Sequence, residues 1–113
     1  MKKVEAYIKK HRLNEVIEAL HMIDGLTGVS VLDVKGFGRT REKEGAVHIV
    51  DNIATAVPHV KLEIVCMDTV MDTIVATIQK AAHTGLRADG KIYLSNIEDA
   101  LRISTGERGE GAV

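Results

Sequence analysis

Two strand–helix–strand units, separated by a long segment without periodicity, constrain the fold of this chain more than any other feature. In each unit, apolar residues first alternate with polar ones, then recur with the spacing of a helical face, and then alternate again. A doubled unit of this kind predicts an α+β, ferredoxin-like βαββαβ sandwich, in which two helices cover one face of a four-stranded sheet. The strands are expected around residues 4–8, 29–34, 60–64 and 91–94, and the helices around 16–23 and 70–82.

The sheet face away from the helices needs a cover of its own. Few charges are expected on that face, and Val65, Cys66 and Met67 are apolar on both sides of the third strand. A lone chain would therefore leave apolar sheet surface in water. The sequence predicts an oligomer that buries this face.

Composition restricts the class of partner. The 113 residues carry a net charge of −1, which argues against nucleic acid or an anionic membrane as a partner held by bulk charge. RNA-recognition motifs share this strand–helix order, but only Tyr7, Phe37 and Tyr93 could stack on bases. No apolar run is long enough to insert in a membrane, and a single cysteine suits a reducing compartment. We expect a cytoplasmic protein.

The segment between Val34 and Pro58 fits neither a helix nor a strand. Connections longer than about 12–15 residues in compact domains are usually functional or disordered. We therefore expect a displayed loop that carries the activity, with a clear strand resuming only near Val60.

Three basic segments, two of them flanked by glycines, could converge on an anion. Gly85 to Lys91 has the spacing G-x-x-x-x-G-K of a phosphate loop, but Ile92 replaces the Ser or Thr that would hold magnesium, and the order runs from helix to strand. The segment suits an anion-binding nest, although a plain helix stop explains its residues as well. The other two segments are Lys35 to Arg39, and Arg102 with Arg108.

Residue spacing gives little support for catalysis or a dedicated metal site. None of the five histidines pairs with another at i, i+4 or lies near Cys66 in a zinc-ligand spacing, and no histidine suggests a triad. We expect neither enzymatic activity nor a resident metal.

Five blocks of the sequence resemble the PII nitrogen-regulatory signal transducers in order and spacing. The resemblance implies a single PII-like domain over residues 1–113 that forms a homotrimer and binds ATP or ADP in clefts between subunits. It also implies a T-loop at about 37–57, a B-loop at about 84–91 and a C-loop at about 102–113. The matching blocks are Met1 to Ala6, Val34 to Arg39, Pro58 with Val60 to Val65, Asp89 to Ile92, and Arg102-Ile103 with Thr105 to Glu110.

The resemblance also implies which residues bind the nucleotide. In the family the B-loop contacts the phosphates, the T-loop base wraps the nucleotide, a C-loop arginine reaches in from a neighbouring subunit, and Mg²⁺ can accompany ATP. The matching positions, including those near adenine and ribose, are Tyr7, Ser30, Gly36, Phe37, Gly38, Arg39, Thr40, Glu63, Ile64, Val65, Arg87, Ala88, Asp89, Gly90, Lys91 and Arg102.

The chain departs from the family pattern where nitrogen signals act. No tyrosine or serine lies between Gly36 and Pro58, which excludes uridylylation or adenylylation of a loop tyrosine and phosphorylation of a loop serine. Thr40 replaces a glutamine that helps to hold magnesium and 2-oxoglutarate, and His59 replaces the lysine that pairs with the 2-oxoglutarate carboxylate. Ala88 stands where the family has glycine.

Two hypotheses follow. The first is a PII-like signal transducer that regulates a protein target, such as a membrane transporter, through a nucleotide-dependent T-loop conformation. The alternative keeps the fold and makes the chain a sensor of another small molecule or a metal, with His48 and Asp51 as the loop residues to test, and with an altered or lost 2-oxoglutarate response.

Overall fold

The two strand–helix–strand units fold onto one sheet. The structure, a computed structural model, describes residues 1–35 and 58–113 together with the backbone of residues 39–41 and 47–49. The order of elements confirms the predicted ferredoxin-like α+β fold. The elements are β1 (Lys2–Lys9), a 3-10 turn (Lys10–Arg12), α1 (Leu13–His21), β2 (Ser30–Val34), β3 (Arg39–Arg41), β4 (Val47–Ile49), β5 (His59–Cys66), α2 (Asp68–Ala82), β6 (Lys91–Asn96) and a second 3-10 turn (Gly109–Ala112).

The sheet is antiparallel, with strand order β2-β5-β1-β6. The long strands β1 and β5 lie in the centre, and the shorter β2 and β6 form the edges. Tyr7 is the register partner of both Lys61 and Lys91, and Lys9 is the partner of His59. Side chains alternate between faces along each strand, so the odd-numbered residues of β1 and β5 point away from the helices.

The core lies between the sheet and the two helices, and none of the described residues that form it is aromatic. Each fully buried aliphatic side chain contributes roughly 1.5–3 kcal/mol relative to an exposed one. Burial also raises the pKa of the Cys66 thiol, because the thiolate form would lose its solvation. The buried core residues are Val4, Ala6, Ile8, Val16, Leu20, Val60, Leu62, Ile64, Cys66, Ile74, Ile78 and Ala82.

Arg12 joins the start of α1 to the end of α2. Its Nε and Nη2 donate to the Ala81 carbonyl oxygen at 3.0 Å and 2.7 Å. The last carbonyls of a helix have no partner within the helix, and a guanidinium both satisfies one of them and complements the helix dipole. The end of α2 is therefore held firmly where the next loop begins.

A two-stranded ribbon interrupts the segment predicted to be a loop. β3 and β4 pair antiparallel, with Thr40 opposite His48, so the prediction of no clear strand before Val60 is wrong. Strands of three residues are too short for their period to be recognised in the sequence. The rest of the predicted T-loop at about 37–57 lies outside the residues that the structure describes.

Candidate functional site

The side chain of Asp89 holds together the loop between α2 and β6, here called the 84–91 loop. Its Oδ2 accepts the backbone N–H of Thr84 at 2.9 Å and that of Gly85 at 3.1 Å, and its Oδ1 accepts the Thr84 hydroxyl. The Thr84 Oγ1 accepts the N–H of Leu86 at 3.1 Å. The hydrogen bonds from Thr84 hold the pKa of Asp89 well below its ordinary range. The carboxylate is therefore charged at neutral pH and is engaged inside the loop.

Lys9 anchors this loop to β1. The residue is 4% exposed, and its Nζ lies 3.2 Å from Asp89 Oδ1 and 3.1 Å from Thr84 Oγ1. A buried ammonium needs a charged partner and hydrogen bonds to offset its lost hydration, and Asp89 and Thr84 provide them. Strand alternation predicts Lys9 to face solvent, and no sequence signal links it to a threonine 75 positions away. Sequence reasoning therefore missed this residue.

Gly90 seats the end of the loop on the backbone of β1. A Cβ atom at this position would lie 1.7 Å from the Tyr7 carbonyl oxygen, and its φ of +100° is one that L side chains rarely adopt. Glycine alone fits both conditions. The contact brings Lys91, the first residue of β6, beside its register partner Tyr7.

His59 fixes the loop at Ala88. Its Nε2 lies 2.9 Å from the Ala88 carbonyl oxygen, and an N–H at Nε2 donates to that oxygen. Ala88 has a φ of +63°, a left-handed conformation that costs an L-residue roughly 1–2 kcal/mol. The alanine thus adopts the backbone conformation for which a glycine would be favoured, and the histidine hydrogen bond helps to stabilise it.

A half-open cavity of about 300 Å³ lies between the 84–91 loop and the end of α2. Tyr7, Asp89, Gly90 and Lys91, all predicted site residues, line it. A lining that combines apolar side chains with Lys91 suits a ligand that has an apolar part and a negative charge. The other lining residues are Ile8, Ile78, Gln79, Ala82, His83 and Ile92.

The outer face of the sheet carries a network of ion pairs. Lys61 Nζ lies 2.7 Å from Glu63 and 3.0 Å from Glu5, and Lys3 Nζ lies 3.0 Å from the second oxygen of Glu5. Glu63 and Glu5 raise the pKa of Lys61, and Lys3 and Lys61 lower the pKa of Glu5. The prediction that few charges lie on this face is wrong, because the odd-numbered positions of β1 and β5 hold lysine and glutamate.

The same face gathers three of the predicted site residues. Tyr7 contacts Tyr93 edge to face, with ring centroids 6.0 Å apart, and Lys61 Nζ lies 5.9 Å from the Tyr7 ring centroid. Ser30 is the register partner of Glu63 on the neighbouring strand. Tyr7, Glu63 and Ser30 therefore share one surface, on which the ring of Tyr93 is exposed.

Ile64 can offer mainly its backbone to a ligand, whereas the half-buried side chain of Val65 lies on the outer face. The Ile64 side chain is 1% exposed and belongs to the core. β2 pairs with β5 only from Ser30–Glu63 to Val34–His59, so no residue of β2 pairs with β5 beyond Glu63. This edge can present main-chain donors and acceptors.

The C-terminal residues form a hairpin in which one arginine is internally paired. Leu101 bridges to Arg108, and the Arg108 guanidinium donates to Asp99 Oδ2 at 3.0 Å and 2.8 Å. This pairing lowers the pKa of Asp99. Arg102 is exposed, and its Nη2 donates to the Gly111 carbonyl oxygen at 3.4 Å. Of the two arginines, Arg102 is the one whose charge has no carboxylate neighbour among the described residues.

Several predicted positions lie outside the residues that the structure describes. Gly36, Phe37 and Gly38 are among them, and Arg39 and Thr40 are described only as backbone in β3. Arg87 is exposed on the 84–91 loop.

Within the described ranges, no group of three or more His, Cys, Asp or Glu side chains could hold a metal ion, and no helix is long and apolar enough to cross a bilayer.

The fold and the loop define the class of protein, a ferredoxin-like α+β domain with an ordered glycine-basic turn at one end of its sheet. The family model "Nitrogen regulatory protein P-II" matches residues 1–107. The chain belongs to the P-II family of nitrogen regulatory signal transduction proteins.

Individual relatives match over the whole length. Nitrogen regulatory proteins P-II from Rhodospirillum rubrum and Rhodobacter capsulatus are 48% and 49% identical to this chain, each over 100% of both sequences. A crystal structure of Arabidopsis thaliana PII bound to citrate superimposes with a TM-score of 0.78 at 38% identity, covering 99% of this chain and 91% of that one. The resemblance in sequence and the fold therefore agree.

Proposed function

We propose that the chain is a single-domain PII signal transducer that binds ATP or ADP at the 84–91 loop and transmits the bound state to a protein target. The observation that carries the proposal is the preformed geometry of this loop. Asp89 closes it from inside, Gly90 seats it on Tyr7, and Lys91 stands at its end beside the cavity. A preorganised turn with one cation at its rim is suited to phosphate.

The outer face of the sheet, with Tyr7 and Tyr93, provides a place for the adenine base of the nucleotide. Tyr7 lies at the junction of the cavity and the outer sheet face, and the open edge of β5 at Ile64 and Val65 lies on the same sheet. A nucleotide with its phosphates at Lys91 and its base toward this face would contact most of the site residues that were predicted from the sequence and that the structure describes. Arg102, which is exposed on the C-terminal hairpin, would then come from a neighbouring subunit.

A homotrimer is the assembly that we propose for this site. Tyr93 is 54% exposed and Leu32 is 46% exposed on the outer face, and Ile103 is 96% exposed on the C-terminal hairpin. Covering such side chains is a source of association free energy. A mass of three times the 12.3 kDa of the chain, measured by light scattering, is the expected result.

Nucleotide-dependent signalling would pass through the T-loop at about 37–57, which follows β2 and returns to β5. In this proposal the protein is cytoplasmic and has no enzymatic activity of its own. Its target is a transporter, an enzyme or a regulator. The T-loop conformation would differ between ATP-bound and ADP-bound states, and the target would recognise one of them.

A weak response to 2-oxoglutarate is part of the proposal. His59 stands where the family has a lysine, and its Nε2 is engaged with the Ala88 carbonyl oxygen. We therefore expect 2-oxoglutarate to change the affinity for ATP with Mg²⁺ very little. Strong positive coupling between the two ligands would contradict this part.

Isothermal titration with ATP, ADP and AMP tests the nucleotide site. We expect ATP or ADP to bind, and Lys91→Met to weaken binding by roughly tenfold or more, because one charge-assisted hydrogen bond to phosphate is lost. Lys80→Met is the matched control, since Lys80 is an exposed lysine of α2 that does not line the cavity. Failure of all three nucleotides to bind the wild-type chain would overturn the proposal.

A further inference from the structure

Two register partners on adjacent strands reach the same loop. Lys9 is the last residue of β1, His59 is the first residue of β5, and the two face each other across the strands. The Lys9 ammonium contacts Asp89 and Thr84, and the His59 imidazole contacts the Ala88 carbonyl oxygen. The loop is thus gripped from the sheet at two points.

The Lys9 contact controls the first half of the loop. The amides of Thr84 and Gly85 donate to Asp89, whose Oδ1 is held by Lys9 Nζ at 3.2 Å. The Leu86 amide donates to the Thr84 hydroxyl oxygen, which Lys9 also contacts at 3.1 Å. Without the Lys9 ammonium, the Asp89 carboxylate would lose its charged hydrogen-bond donor from the sheet.

The His59 contact controls the second half. The C=O of Ala88 and the N–H of Asp89 belong to one trans peptide and point in opposite directions. Because the Ala88 oxygen is directed to His59, the Asp89 N–H is directed away from His59. The left-handed conformation of Ala88, with φ of +63°, is a component of turns that bind anions through successive amides.

We infer that Lys9 and His59 are positioning residues that clamp the 84–91 loop in its anion-binding conformation without touching the anion. Lys9 is 4% exposed and is paired with the loop, so its charge orders the turn, whereas Lys91 lines the cavity that is proposed to hold the ligand. The identification of the anion as a nucleotide phosphate rests on the proposed function. The clamp itself is a property of the loop and can be measured without any ligand.

Hydrogen exchange tests the Lys9 half of the clamp in the full chain. In Lys9→Met, the amides of Thr84, Gly85 and Leu86 should exchange roughly tenfold faster or more, because each depends on the Asp89–Thr84 network. The amide of Leu62 in the core strand β5 should keep its protection. Thr84→Val should reproduce the loss, and Thr84→Ser, which retains the hydroxyl, should restore protection.

ATP titration of the same variants tests the consequence for binding. Lys9→Met and His59→Leu should each weaken ATP binding roughly tenfold. His59→Gln should bind like the wild type, because a glutamine amide can donate from nearly the position of Nε2. Rescue by glutamine separates a hydrogen-bonding role from simple packing.

The outcomes distinguish the two proposals. If Lys9→Met is folded and leaves both loop exchange and ATP affinity unchanged, the clamp is overturned. His59→Leu with wild-type affinity would overturn the His59 half. If the wild-type chain binds none of ATP, ADP and AMP, the proposed function fails, and loop exchange in Lys9→Met decides the clamp by itself.

Discussion

Replacing Gly90 with alanine tests how the 84–91 loop is seated on the sheet. Two penalties combine at this position. The left-handed φ of +100° disfavours an L-residue by roughly 1–2 kcal/mol. The new Cβ atom would lie 1.7 Å from the Tyr7 carbonyl oxygen, and such overpacking typically costs about 1–3 kcal/mol. The Tyr7 oxygen is a backbone atom of a central strand, so it cannot turn aside. We expect Gly90→Ala to lower the free energy of unfolding by about 2–5 kcal/mol.

Urea unfolding at one fixed protein concentration measures this loss, because self-association makes apparent stability depend on concentration. A lower midpoint with an unchanged m-value would report stability alone. Two glycines provide matched controls. Gly106 has a φ of +73° with no atom within 4 Å of an added Cβ, and Gly28 has open space with no left-handed φ. Alanine should cost about 1–2 kcal/mol at Gly106 and less than about 0.5 kcal/mol at Gly28.

The reasoning is refuted if Gly90→Ala destabilises the protein no more than Gly106→Ala does. That result would mean that the loop moves off Tyr7 without loss, and that the close approach does not position Lys91.

Three further predictions concern the loop and its surroundings. Ala88→Gly should stabilise the chain by about 1 kcal/mol in urea unfolding, because relief of the left-handed strain exceeds the added chain entropy; a destabilised variant would contradict this. Asp89 has a lowered pKa in the folded state, so its contribution to stability is present above about pH 4 and is lost as the pH falls below that value. Stability measured between about pH 5 and 2 should therefore fall less steeply in Asp89→Asn, and equal slopes would disprove the contribution. Arg12→Met should cost about 1–2 kcal/mol, with Arg12→Lys recovering only part, because lysine cannot reproduce the two-pronged bond to Ala81; full recovery by lysine would show that charge alone matters.

The fold could be predicted because the core residues follow local periodic patterns in the sequence. Val4, Ala6 and Ile8 alternate with polar residues, and the buried positions of both helices recur with the helical period. The doubled unit then leaves few sheet topologies. The ribbon of β3 and β4 could not be predicted, because three-residue strands give the period too few repeats.

The loop sequence could be recognised, but the residues that hold it could not. Gly85, Gly90 and Lys91 mark a glycine-basic turn, and three of its features, the inward carboxylate of Asp89, the seat on Tyr7 and the buried Lys9, depend on tertiary contacts. Alternation predicts which face of the sheet a side chain lies on. The rule fails for Lys9, because this residue ends β1 and its side chain contacts the 84–91 loop. The prediction of few charges on the outer face was wrong although the polar positions of β1 and β5 can be read from the sequence as lysine and glutamate. Only the pairing of these charges depends on the strand register.

The ion-pair network of the outer face has a consequence for association. Glu5 and Glu63 are directly opposite each other, an arrangement that is unfavourable for like charges, and Lys61 bridges both. Together with Lys3 the group has two positive and two negative charges, so it is neutral as a unit. A surface that closes over it would neither trap nor expel counterions. Association through this face should therefore change little with ionic strength, even though charged residues lie at its centre.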